Sequence, residues 1–181
     1  MLHATPWRET SLIVQSFSRE HGCVAMVAKG AKRPYSVLRP VLSAFQPLLL
    51  SWSGGGEVKT LTRAEVTGLR PLKGTGLMSA WYMNELLLRL LPREDAHPAL
   101  FDAYDIALQQ LASGTRAAGA LRRFEWTLLT ETGYGIDEEP PDFDDPTIEP
   151  GLRRDLRERL AANLVGRPLS TRRVLLDLQR L

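Results

Sequence analysis

With 181 residues, 44% of them hydrophobic and 24% charged, the chain has ordinary globular composition and length for one large or two small domains. One cysteine, Cys23, excludes an internal disulfide framework and a paired-cysteine zinc site, and the longest apolar runs, PLLLSW and ELLLRLL, are too short to span a bilayer. The net charge of +2 is segregated: residues 1–72 hold nine Lys/Arg against four Asp/Glu, residues 137–149 seven acids and no base, and residues 152–181 eight Arg against three acids.

The start, MLHATPWRET, lacks a basic segment followed by an apolar one, so no signal peptide is expected and the protein reads as soluble and intracellular. Four stretches then read as strands: 11–17 (SLIVQSF), 23–30 (CVAMVAKG), 42–52 (LSAFQPLLLSW) and 57–66 (EVKTLTRAEV). They are short, rich in branched and aromatic residues, and punctuated by Gly22, Gly30–Pro34 and Gly54-Gly55-Gly56. Four or five short antiparallel strands in about seventy residues suit a small closed barrel of the oligonucleotide-binding (OB) type.

After Gly76 the apolar spacing becomes helical. A first helix over 77–91 stops at Pro92, and a second over 98–112 opens with Pro98 in its first turn. A third over 118–133 ends at Gly133, which suits a C-cap. The proline-rich PPDFDDPTIEPG interrupts the pattern, and helices over 152–165 and 170–181, the latter with Ser170 as N-cap, close the chain. The expected class is α+β: an N-terminal OB-fold β-barrel over 1–72, then an all-α C-terminal domain over 73–181 containing an acidic linker at about 137–151.

Catalytic signatures are missing. His3, His21 and His97 have no ligand-like spacing, and neither a nucleophile elbow nor a phosphate-binding glycine loop occurs. Asp142, Asp144 and Asp145 are the one carboxylate cluster that suggests Mg²⁺, but they sit in a proline-rich connection with no scaffold for octahedral geometry. Cys23 lies in an apolar strand and reads as core. No catalytic residue, metal or cofactor is expected.

The cations carry the functional signal. No Asp or Glu occurs between Glu20 and Glu57, while VAKGAKRPYSVLRP holds Lys29, Lys32, Arg33 and Arg39. Soluble surfaces normally mix the two signs, and uncompensated cations on a small barrel suit nucleic-acid phosphates. Trp7, Tyr35, Phe45 and Trp52 are candidate base-stacking platforms; Phe45 and Trp52 read more readily as core, and Tyr35 inside the basic loop is the best placed. On the third helix, 100° steps put Leu121, Phe124 and Leu128 on one stripe and Arg122, Trp126 and Leu129 on another. An apolar strip bearing an arginine beyond what the core needs suits a short apolar peptide with carboxylates; the alternative is that Trp126 packs under a neighbouring helix.

Five blocks, LHATPWRETSLIVQSFSREHGCVAMVAKGAKR, FQPLLLSWSGGGEVKTLTRAE, YMNELLLRLL, LRRFEWTLLTETGYG and GRPLSTRRVL, resemble in order those of the bacterial RecO recombination-mediator family. The resemblance implies an OB fold, binding of single- and double-stranded DNA, strand annealing, and cooperation with RecR. It further implies capture of the C-terminal tail of single-stranded DNA-binding protein (SSB) and help in loading RecA, at the nucleoid in the cytoplasm. Lys29, Lys32 and Arg33 match the family's basic segment, and Arg122 sits where the family has an SSB-tail arginine. Many members carry a module after the GYG block, some binding zinc through paired cysteines. Here only an acidic link without cysteine follows Gly135, so no zinc is expected. Two other readings stand beside the non-enzymatic mediator: a Mg²⁺-dependent nuclease using Asp142, Asp144 and Asp145, and an RNA-binding OB module.

Overall fold

Branched and aromatic residues of the first seventy positions build five strands: β1 (His3–Trp7), β2 (Ser11–Ser18), β3 (Gly22–Ala28), β4 (Leu48–Ser53) and β5 (Val58–Val66). The computed structural model describes residues 1–114, 117–134, 138–164 and 169–171. The strands form one sheet in the order β1-β2-β3-β5-β4. Alternation along β2 and β3 turns Val14, Val24, Met26 and Ala28 into a common core, which Leu61 of β5 and the loop residues Ala31 and Leu42 complete.

Three sequence expectations change here. The β3–β5 pair is parallel, whereas the other pairs are antiparallel, because β4 intervenes in sequence and pairs on the far side of β5. The sheet is not closed into a barrel. β1 and β4 are short edges, Pro6 on β1 has no N–H to give, and the bonds across the gap lie at its end, where Phe45 N–H donates to the Met1 carbonyl. The apolar run 42–52 is strand only from Leu48; Leu42 and Phe45 are buried as loop residues, so their apolar character reflects core cover and not a strand. β1 itself went unread, since HATPW has neither clean alternation nor a branched run.

Four helices follow: α1 (Gly74–Leu90), α2 (Pro98–Ser113), α3 (Ala117–Glu131) and α4 (Glu149–Asn163). Pro98 stands in the first turn of α2. Gly133 ends α3 with φ of 72°; its N–H bonds the Thr130 carbonyl and that of Tyr134 bonds Leu129, which is the Schellman pattern. Most of the expected helix over 170–181 lies outside the described residues. Its opening is visible: the Glu85 carboxylate of α1 accepts the N–H groups of Ser170 (2.8 Å) and Thr171 (3.0 Å) and the Thr171 hydroxyl (2.7 Å).

Burial pushes the Glu85 carboxyl up, but these bonds and the adjacent Arg89 outweigh it and hold it below its ordinary 4.5. A lowered folded value means stabilisation that is present above 4.5 and lost as pH falls through the folded value. Glu85→Gln is therefore expected to cost about 1 kcal/mol at neutral pH after allowance for solvent screening. The difference from the parent should shrink on acidification in urea melts across pH 7 to 3; a constant difference would remove the charge from the explanation.

Contacts divide the chain into two units: Met1–Pro71 with Pro92–Ala96, and Leu72–Leu91 with the described residues from His97 onward. In the first, Arg93 bridges to Cys23, Glu94 N–H bonds the Cys23 carbonyl, and the Glu94 carboxylate meets the buried Lys59 ammonium at 2.9 Å. Gly22 permits that approach. Its φ is +62°, and a Cβ there would stand 1.8 Å from the Asp95 carbonyl oxygen. Gly22→Ala is expected to cost about 2–3 kcal/mol, since left-handed strain adds to a backbone clash. An unchanged urea midpoint would refute the docking of residues 92–96.

Candidate nucleic-acid interface

The segment between β3 and β4 is a succession of tight turns. Arg33, Ser36 and Arg39 N–H groups donate to the carbonyls of Gly30, Arg33 and Ser36, while Lys32 N–H bonds the Thr10 carbonyl at 2.8 Å. Ser11 Oγ accepts from Gly30 N–H, so the base of the loop is tied to the β1–β2 turn. Backbone bonds thus hold the loop, and Ala31 and Leu38 pack against the sheet core. Lys29, Lys32, Arg33 and Arg39 are all exposed, and Tyr35 is 99% exposed.

The other stacking candidates divide. Trp7 is 43% exposed, with the Arg8 guanidinium 5.9 Å from its ring. Phe45 is buried, and Trp52 packs partly into the sheet core with its ring edge-on to His21 at 5.1 Å. Two aromatics, Trp7 and Tyr35, therefore face water near the cations, and two belong to the fold.

The second candidate site lies in the helical unit, and its burial differs from the exposed strip expected. Arg122 is 5%, Trp126 8% and Leu129 0% exposed. The helical wheel was right about two stripes on α3, but both are covered, because α3 packs against α2 on one side and α4 on another. Phe143 of the acidic link adds cover: its ring meets Trp126 edge-on at 6.0 Å, and the Arg123 guanidinium lies 5.3 Å from it.

Arg122 sits in a network that the sequence reading missed. Its Nη2 donates to Glu125 Oε1 at 3.1 Å, its Nε lies 2.8 Å from Glu125 Oε2, and its Nη1 lies 3.6 Å from Glu149 of α4. The Nε contact is close but poorly aligned, so it counts as an ion pair rather than a hydrogen bond. Tyr82 of α1 donates its hydroxyl to the same Glu125 at 2.7 Å. Burial pushes the Glu125 carboxyl up, and Arg122 with the Tyr82 bond opposes that shift. The i, i+3 spacing of Arg122 and Glu125 was the available local signal. Arg122 is thus held within the fold by two acidic partners, whereas the sequence reading had it beyond what the core needs.

The remaining chemistry is sparse. Asp142 and Asp145 accept bonds from the backbone of Asp144 and Thr147, and Asp145 also from the Thr147 hydroxyl, which lowers its carboxyl. These carboxylates shape a turn. No group of three His, Cys, Asp or Glu that could hold a metal occurs among the described residues. Burial pushes the Cys23 thiol up to about 12, against thiolate chemistry. No described helix is long and apolar enough to cross a membrane.

Comparison with known proteins agrees with the arrangement of a strand-rich unit followed by a helical one. Residues 1–70 match the family described as Recombination protein O N terminal, and residues 72–139 match Recombination protein O C terminal. A protein of Aromatoleum aromaticum named DNA repair protein RecO is 66% identical over 137 residues, 75% of this chain and 57% of that protein. One of Ralstonia nicotianae with the same name is 48% identical over an alignment of 227 positions, covering all of this chain and 84% of the relative. Since 227 exceeds the 181 residues here, the Ralstonia protein carries residues within the aligned region that this chain does not. A Cupriavidus pinatubonensis relative, 61% identical over 137 residues, is covered over 47% of its length. Matched in both its parts and aligned in full to a relative of that name, the chain belongs to the RecO family of DNA repair proteins.

Proposed function

We propose that the protein is a non-enzymatic recombination mediator that holds single- and double-stranded DNA on the loop bearing Lys29, Lys32, Arg33, Tyr35 and Arg39. The observation that carries this reading is the acid-free loop itself, anchored by its backbone and with every cation exposed. Phosphate contacts of this kind are independent of base sequence, and Tyr35 adds a stacking surface for unpaired bases. Both properties suit annealing, in which complementary strands of any sequence must be held with their bases accessible. Family membership supports the further partners, RecR, SSB and RecA, and a place at the nucleoid. For the SSB tail the reading is narrow. Arg122 meets a tail carboxylate only by exchanging Glu149, the more exposed of its two acidic partners, with Trp126 and Leu129 beneath.

The test is a labelled oligonucleotide titrated with the full chain in the presence of Mg²⁺, against equal lengths of DNA and RNA competitor. Binding without cleavage, DNA competing at least as well as RNA, and faster annealing of complementary strands are expected. Metal-dependent cleavage would support a nuclease at Asp142, Asp144 and Asp145 instead, and stronger competition by RNA would support an RNA-binding module.

A further inference from the structure

The helical unit contains an open cleft of about 440 Å³ whose chemistry is opposite to that of the DNA loop. Its floor is apolar, from Trp126, Ile148 and Leu152, and its rim carries Glu138, Glu139 and Asp155. Arg159 is shared between Glu138 at 3.6 Å and Asp155 at 3.1 Å, and the lining itself holds three acids and no Lys or Arg, so the rim is acidic. A cationic segment with bulky apolar side chains fits both parts of the lining.

The chain itself presents such a segment. Within the basic loop, Val37 is 82% exposed beside Tyr35 at 99%, flanked by Lys32, Arg33 and Arg39. Phosphates use the cations and bases use the tyrosine, but nothing in nucleic-acid binding calls for an exposed valine there. We propose that the acid-rimmed cleft of one molecule docks the basic loop of a second copy, with Tyr35 and Val37 against the floor and Lys32 and Arg33 against the rim. The contact joins two different surfaces, so it is heterologous and can extend from molecule to molecule. It also covers the loop, so self-docking and DNA compete for one set of cations; this competition rests on the DNA reading of the loop, whereas the docking does not.

Sedimentation velocity of the full chain from about 1 to 100 µM, the range in which weak self-contacts appear, tests the docking. Association that grows with concentration is expected for the parent protein. It should weaken at least tenfold, about 1.4 kcal/mol, in E138K/E139K and separately in K32E/R33E. Mixing the two variants should recover a complex, because the intact loop of one meets the intact cleft of the other. A Tyr35→Ser/Val37→Ser variant should weaken association at unchanged charge. Saturation with an oligothymidylate should dissociate the parent assembly. A parent protein that stays monomeric, or an assembly indifferent to either charge reversal, overturns the proposal. If the oligonucleotide binds and the assembly persists, the competition is overturned while DNA binding stands. If it fails to bind while both charge reversals act, the DNA reading fails and the docking stands.

Discussion

Arg122→Ala is expected to destabilise the helical unit by about 3–5 kcal/mol at pH 7–8, the cost of stranding one member of a buried ion pair. A loss of that size lowers Tm by about 10 °C or more in a unit of roughly a hundred residues. Removing the guanidinium leaves Glu125 with the Tyr82 hydroxyl as its remaining short contact, in a site whose burial already raises its carboxyl. The sign of the pH dependence follows. A carboxyl raised above its unfolded value is costly when ionised, so the variant should recover stability as pH falls through the folded value toward the ordinary 4.5. A volume-matched double change, Arg122→Met with Glu125→Leu, should restore most of the loss, because it removes both charges together. Melts of the three variants at pH 8, 6 and 5 decide the matter. If Arg122→Ala melts like the parent, the guanidinium is not held by Glu125, and it becomes free to serve an acidic tail.

Neutralising Lys29, Lys32 and Arg33 together should leave Tm unchanged and weaken binding to single-stranded DNA by about 10–100-fold near physiological salt. All three side chains are exposed, and the bond that anchors the loop at Lys32 runs through its backbone N–H, which substitution preserves. Losing three phosphate contacts should also flatten the plot of log K against log salt by about 2 for single strands. The slope is the sharper measurement, because a merely distorted loop would lower affinity without removing counterion release. An unchanged slope would place the DNA elsewhere. Tyr35→Ala adds a complementary expectation: weaker binding of single strands by about 1–3 kcal/mol, with the salt slope retained, since stacking releases no ions.

The two sites contrast in how much of them the sequence revealed. The basic loop was readable because its signal is local: a run without acids stays basic however the rest folds, and its cations stay exposed. Helix ends were readable for the same reason, since Pro98 and Gly133 act through their own backbone angles. The surroundings of Arg122 on α3 were not. Periodicity correctly separated Leu121, Phe124 and Leu128 from Arg122, Trp126 and Leu129. Whether a second apolar stripe is bare or covered depends on what packs over it, and here α4 and Phe143 do.

The amino-acid sequence by itself determined the α+β class, the order of a strand-rich unit and a helical one, the four described helices, and the position of the cations. Each rests on propensities and periods acting within about fifteen residues. The tertiary structure alone decided the parallel β3–β5 pair, the open gap between β1 and β4, the docking of Pro92–Ala96 through Lys59 and Glu94, and the burial of Arg122 against Glu125 and Glu149. The physical reason is common to most of them: they join groups some twenty-five to seventy positions apart, whose meeting is set by how elements pack and not by the residues along either element.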